Sequence, residues 1–228
     1  MILDRPIPRA ALALPIAALA AAAAAGCLPA LRGKDDSGRL AALAVDSARP
    51  ALQRLDDPDP AVRENACRAL ASDAERLRRQ GEFAAAEQHV HWIVDRFDRE
   101  NDLGVRHAVV NLCAPAMGRG GSPATEAFLR RRIVAGELAG PAALVLADLA
   151  PPEAYEILAP LTRHPLPSTR ADGALALVIL GDPRGAPAVR GVIAEMHPPG
   201  WPKQLWGVAL DDARASLAIR AGRAFGIE

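Results

Sequence analysis

Asp57-Pro58-Asp59-Pro60-Ala61-Val62-Arg63-Glu64-Asn65-Ala66-Cys67-Arg68-Ala69-Leu70 decides the fold, because it recurs along the chain. It returns as Asn101-Asp102-Leu103-Gly104-Val105-Arg106, followed by Val109, Leu112 and Cys113. A fainter copy runs from Leu138 through Ala142 to Leu146. A clear one is His164-Pro165-Leu166-Pro167-Ser168-Thr169-Arg170, which continues to Gly181-Asp182-Pro183-Arg184. Anchored on Val62, Val105, Leu138 and Thr169, the copies are spaced by 43, 33 and 31 residues. A fifth, poorly marked unit starts near Leu205. Such periods suit two helices and two short turns, and repeats of this kind stack.

Each copy carries the physics of a helix start. Asp59 can accept from the free N–H groups of the first turn, and Pro60 tolerates the first helical position. Asp182-Pro183 repeats the device. Behind the first start, Val62, Ala66, Leu70, Ala74 and Leu77 recur at helical spacing. Phe83, Ala86, Val90, Ile93, Val94 and Phe97 form the facing stripe, and Val105, Val109, Leu112 and Ala116 open the second unit. One such pair cannot bury its stripe alone, whereas a stack can.

Composition agrees. Half of the 228 residues are hydrophobic, mostly Ala and Leu, and only 4% are aromatic. Helix formers dominate and strand formers are scarce. The expected fold is all-α, a stack of about four to five antiparallel helix pairs over residues 39–228. Lys and Arg together number 27, as do Asp and Glu, so net charge gives no pull toward nucleic acid or anionic membrane.

Asp-Pro-x-Pro-x-Val-Arg-x-x-Ala-x-x-Ala-Leu and Gly-Asp-Pro-Arg-x-x-Pro-x-Val resemble HEAT repeats of the bilin-lyase-like type, over roughly residues 50–220. The resemblance implies an α-solenoid with a hydrogen-bonded Asp–Arg ladder along the stack. That role would fall on Asp59, Arg63, Arg106, Arg170 and Asp182. The ladder would break at the third unit, where Ala139 stands in the arginine's place. Gln80-Gly81-Glu82-Phe83-Ala84-Ala85-Ala86-Glu87 also looks like the middle of a tetratricopeptide unit, and both readings give a solenoid.

The N-terminus reads as an address. Arg5 and Arg9 precede the uncharged stretch Ala10–Ala25, then Gly26-Cys27. Residues 1–26 are expected to be a signal peptide and 27–38 a polar tether. Ala24-Ala25-Gly26-Cys27 resembles a bacterial lipobox, although Ala24 stands where that family usually has Leu. The resemblance implies cleavage before Cys27 and diacylglycerol on its sulfur. Ordinary cleavage after Ala25 or Ala30, or an uncleaved anchor over 10–31, remain the other readings.

No constellation points to catalysis, a cofactor or a metal. His89 and His91 point to different helix faces, and Glu87 with His91 is too few ligands for zinc. Gly118 through Pro123 is an inter-helix turn rather than a phosphate loop. Arg130-Arg131-Arg132 and Arg76, Arg78 and Arg79 read as solvated faces. Cys67 and Cys113 read as buried, unbridged hydrophobes. Pro198 through Trp206 breaks the helical pattern, and its Trp201 and Trp206 suit either an interaction hot spot or a terminal cap.

The expected function is a non-enzymatic scaffold, exported and lipid-anchored in the bacterial envelope, or else secreted or soluble in the periplasm. Its partner would be another protein or an extended peptide, on a concave face from residues near 82–98, 123–135, 152–163 and 186–196. No nucleic acid is expected. The rival readings are an enzyme on a HEAT-like stack, of bilin-lyase or DNA-glycosylase type, and a structural subunit of a larger complex.

Overall fold

Four helix or turn starts are closed by a short polar side chain. Asp59 Oδ1 accepts from Ala61 N at 2.8 Å, and Asp102 Oδ1 from Val105 N at 3.0 Å. Ser122 Oγ accepts from Thr125 N at 3.2 Å, and Asp182 Oδ1 from Arg184 N at 3.0 Å. Proline occupies the first turn after Asp59, Ser122 and Asp182, where a missing N–H costs nothing. Left-handed glycines close four helix ends, at Gly81, Gly136, Gly181 and Gly226, and the first two carry a paired set of hydrogen bonds. Gly81 N donates to Arg78 O and Glu82 N to Leu77 O, and Gly136 N to Ile133 O and Glu137 N to Arg132 O. Both are Schellman motifs, which satisfy the last free carbonyls.

The computed structural model describes residues 51–118, 121–197 and 200–226. The signal peptide, the tether, Cys27 and the start of the repeat region at residue 39 lie outside these. The described chain is all-α apart from one small hairpin. Its elements are α1 Ala51–Arg54, α2 Pro60–Arg79, α3 Phe83–Arg99 and α4 Leu103–Ala108. A π-helical turn, Val109–Cys113, leads into α5 Ala114–Gly118. Then come α6 Pro123–Ala135, α7 Ala139–Leu149 and α8 Ala154–Leu158, extended by a 3-10 turn over Ala159–Arg163. After α9 Pro167–Leu180, a 3-10 turn Pro183–Gly185 opens α10 Ala186–Glu195. Strands β1 Gln204–Leu205 and β2 Val208–Ala209 form an antiparallel hairpin before α11 Leu210–Phe225.

Packing joins adjacent elements and elements one helix apart in the chain. Helix α2 packs on α3 and on the run α4–π–α5, which packs on α7; α7 packs on α9, and α9 on α11. The intervening α3 and α6 touch each other, as do the 3-10 turn after α8 and α10. Among the described residues no helix is long and apolar enough to cross a membrane.

The stripe on α2 is buried at all five expected positions. On α3 burial starts at Ala86, because Phe83, the first helical residue, lies at the turn and is 58% exposed. The second unit departs further. Leu112, expected inside, is exposed, while Val110, Cys113, Ala114 and Met117 are buried. The π turn causes this: its wider turn slips the buried face relative to ordinary helical spacing. The third unit also shifts. Leu138 is not in the helix but caps it at φ 52, so Ala142, not Ala139, is the counterpart of Arg63.

Ala150 ends α7 in the left-handed region at φ 46 and is exposed. A Cβ there costs about 1–2 kcal/mol, and glycine returns part of that in unfolded-state entropy. Ala150→Gly is therefore expected to stabilise the protein by about 0.5–1 kcal/mol, read as a higher denaturant midpoint at unchanged slope.

Candidate interaction surface

Near the starts of three helices an arginine meets a glutamate at the end of the helix that follows, Glu100 and Glu137 just beyond it and Glu195 at its last residue. Arg63 is buried and grips Glu100 bidentately, Nε to Oε2 at 2.8 Å and Nη2 to Oε1 at 2.9 Å. Arg63 Nη1 also donates to the carbonyls of Asp57 and Pro58, at 2.8 and 3.0 Å. Glu100 Oε1 accepts from Asn101 N and Asp102 N, and Arg96 Nη2 stands 3.0 Å from Oε2. One carboxylate thus ties α2, α3 and the start of α4. Burial alone would raise the Glu100 pKa, but the Arg63 hydrogen bond, the Asp102 N–H and the nearby arginine charges outweigh it and hold it below 4.5.

The second unit repeats the arrangement. Arg106 pairs with Glu137, and Arg132 Nη1 reaches the same carboxylate at 2.6 Å. The two guanidinium groups lie 4.6 and 5.0 Å from the Phe97 ring centroid. The third unit, with Ala142, has no arginine to contribute. In the fourth, Arg170 Nη1 donates to the carbonyls of His164 and Pro165, and its Nε lies 3.6 Å from Glu195. Asp59 and Asp182 cap their own first turns, and Asp182 also pairs with Arg184 at 2.6 Å. The ion pairs of Arg63, Arg106 and Arg170 are with Glu100, Glu137 and Glu195, and the charge of Asp102 at the next helix start also acts on Arg63. The aspartates are occupied by backbone N–H groups at the same turns. The overlooked signal was a glutamate just after the second helix of the first two pairs, Glu100 and Glu137, each with an arginine about one turn before it.

The tryptophans sit at the far end. The turn of the β1–β2 hairpin is Trp206-Gly207, with φ 52 and 78, the signature of a type I′ turn. Asn or Gly normally takes the first place, and Trp there is strained. Its side chain answers for it, since Trp206 Nε1 donates to Asp172 Oδ1 at 2.9 Å. The Asp172 carboxylate in turn fills the space left by Gly140 on α7. Trp201 stacks on Arg170, 5.0 Å from guanidinium to ring centroid. Both tryptophans are half-buried against the core.

Burial raises the Asp172 pKa and the Trp206 hydrogen bond only partly offsets it. An acid whose pKa is raised by folding weighs against the fold once ionised. Asp172→Asn is thus expected to stabilise the protein at neutral pH, with the gain vanishing as pH falls through the raised pKa. Trp206→Phe removes the donor and is expected to cost about 1–3 kcal/mol in denaturant unfolding.

The third feature is a groove of about 290 Å³ between α3 and α6, lined by His91, Val94, Asp95 and Asp98 on one side and Ala124, Ala127 and Arg131 on the other. It meets a more open surface of about 470 Å³ that Arg131 shares with Arg130, Val134 and Ala135. The arginine triplet is divided. Arg130 reaches Glu153 at 2.6 Å and Arg132 lies 3.4 Å from Asp98, so only the exposed Arg131 matches the solvated face expected for all three. Arg78 is likewise corrected. It is 5% exposed and binds Met117 O and Glu87 at the end of α2, while Arg76 and Arg79 pair on the surface with Asp73 and Glu75.

No protein-family model, curated protein or solved structure matches this chain.

The remaining candidates are placed as follows. His89 Nδ1 is 2.8 Å from Ala85 O, and the ring meets Trp92 edge-on. Among the described residues no three His, Cys, Asp or Glu side chains form a metal-sized group. Cys67 and Cys113 are buried free thiols, with burial pushing Cys67 up to about 12 and Cys113 higher still.

Proposed function

We propose that this chain is a non-enzymatic interaction scaffold, a HEAT-like α-solenoid held in a bacterial envelope by lipid on Cys27. Its partner is a protein or extended peptide lying on the face made by the second helices α3, α6, α8 and α10. One observation carries the reading. The arginine–glutamate joint recurs at the first, second and fourth pairs, and packing joins elements adjacent or one helix apart in the chain, as in a stack of repeats. The sequence Gly26-Cys27 behind an apolar stretch supports the anchor.

The test is a pull-down of the C-terminally tagged full chain from gently solubilised native membranes, with the intact mass of the bait read in the same run. A stoichiometric partner, and a chain that starts at Cys27 with a lipid-sized increment, are expected. An unprocessed chain that retains nothing would overturn the reading.

A further inference from the structure

We propose that the α3–α6 groove takes an extended peptide of the pattern basic–x–acidic–x–apolar, read by Asp95, Arg131 and Val134. This deepens the scaffold reading and rests on it. The argument begins from charge. Asp98 is engaged by Arg132, but neither Asp95 nor Arg131 forms an ion pair among the described residues, although both line the groove. Opposite charges held on two walls, not neutralising one another, complement a ligand that carries both signs. His91, Val94, Ala124 and Ala127 complete the lining, and the small alanines leave room for a backbone.

Spacing adds to this. Arg131 and Val134 are three residues apart on α6, hence neighbours on one helix face at about 5–6 Å. Alternate side chains of an extended chain point the same way, about 6.5–7 Å apart. An acidic residue over Arg131 therefore brings the residue two further along over Val134, which is 84% exposed. The basic residue two before it is the one the proposal assigns to Asp95, which lines the facing α3 wall of the groove. Recognition by alternate side chains is the ordinary mode for extended peptides.

The probes are two fluorescein-labelled heptapeptides, Gly-Lys-Ala-Glu-Ala-Val-Gly and its charge-swapped form Gly-Glu-Ala-Lys-Ala-Val-Gly, titrated with the detergent-solubilised full chain and followed by anisotropy. The first is expected to bind at least tenfold more tightly. The double variant Asp95→Lys/Arg131→Glu, at two exposed positions, is expected to reverse that preference with an unchanged helical signal. Ala127→Phe, which fills the groove without altering charge, is expected to abolish binding of both. Equal binding of the two peptides, no binding at millimolar concentration, or a preference that survives the double reversal would each overturn the inference. The membrane pull-down separates this from failure of the scaffold reading. A client retained equally by wild type and double variant leaves the scaffold standing and removes the groove from it, whereas no client with either removes both.

Discussion

Replacing Glu100 with alanine is expected to cost about 3–5 kcal/mol. The carboxylate is 4% exposed and its partner Arg63 is 8% exposed. Its removal strands the Arg63 guanidinium in the interior and leaves Arg96 with only Asp56 and the Leu55 carbonyl. The N–H groups of Asn101 and Asp102 lose their acceptor at the start of α4 as well. The comparison is Glu64→Ala, which removes a partly exposed pair with Arg68 on the same helix and is expected to cost under about 1 kcal/mol. Equilibrium urea unfolding of both variants checks this, and equal effects would refute the joint. The pH dependence has a definite sign. Because the Glu100 pKa is lowered in the folded protein, its stabilisation is present above 4.5 and lost as pH falls through the folded value. The Glu100→Ala variant should accordingly lose less stability on acidification than the wild type.

The second large effect concerns two helical glycines that sequence alone cannot tell apart. A Cβ on Gly173 of α9 would lie 2.6 Å from Leu161 Cβ, 3.1 Å from the Leu161 carbonyl carbon and 3.2 Å from Thr162 N. Two of these are backbone atoms, so the neighbouring 3-10 turn has to move. Gly173→Ala is expected to cost about 2–3 kcal/mol through overpacking. Gly191 of α10 meets nothing within 4 Å. Gly191→Ala is expected to stabilise by about 1 kcal/mol, the ordinary helix-propensity difference. Thermal unfolding of the pair should therefore move in opposite directions, and a stable Gly173→Ala protein would show that α9 and the turn after α8 are not in close contact.

Much of the helical skeleton was legible. Asp59, Asp102, Ser122 and Asp182 announce starts because a short acceptor before a first turn satisfies free N–H groups locally. The apolar stripes of α2 and α3 were legible for the same reason: helical period is a property of the chain alone. The misreadings fell where neighbours intervene. Leu112 turned outward because a π turn, set by packing against α2 and α7, slipped the face. Leu138 was read inside α7 because an apolar residue does not announce a left-handed cap.

The candidate surface was less visible. Arg130, Arg131 and Arg132 look identical in sequence, and the fold sends them to Glu153, the groove and Asp98 respectively. Trp201 and Trp206 stood out, but the acceptor for Trp206 is thirty-four residues away on α9. Sequence by itself determined which segments are helical, where most begin and end, and which faces are apolar, since these depend on residues within a turn or two. Only the tertiary structure decided which glutamate meets which arginine, which glycine is closely packed, and where a groove opens between α3 and α6, because those depend on contacts between residues several turns to 37 positions apart in the chain.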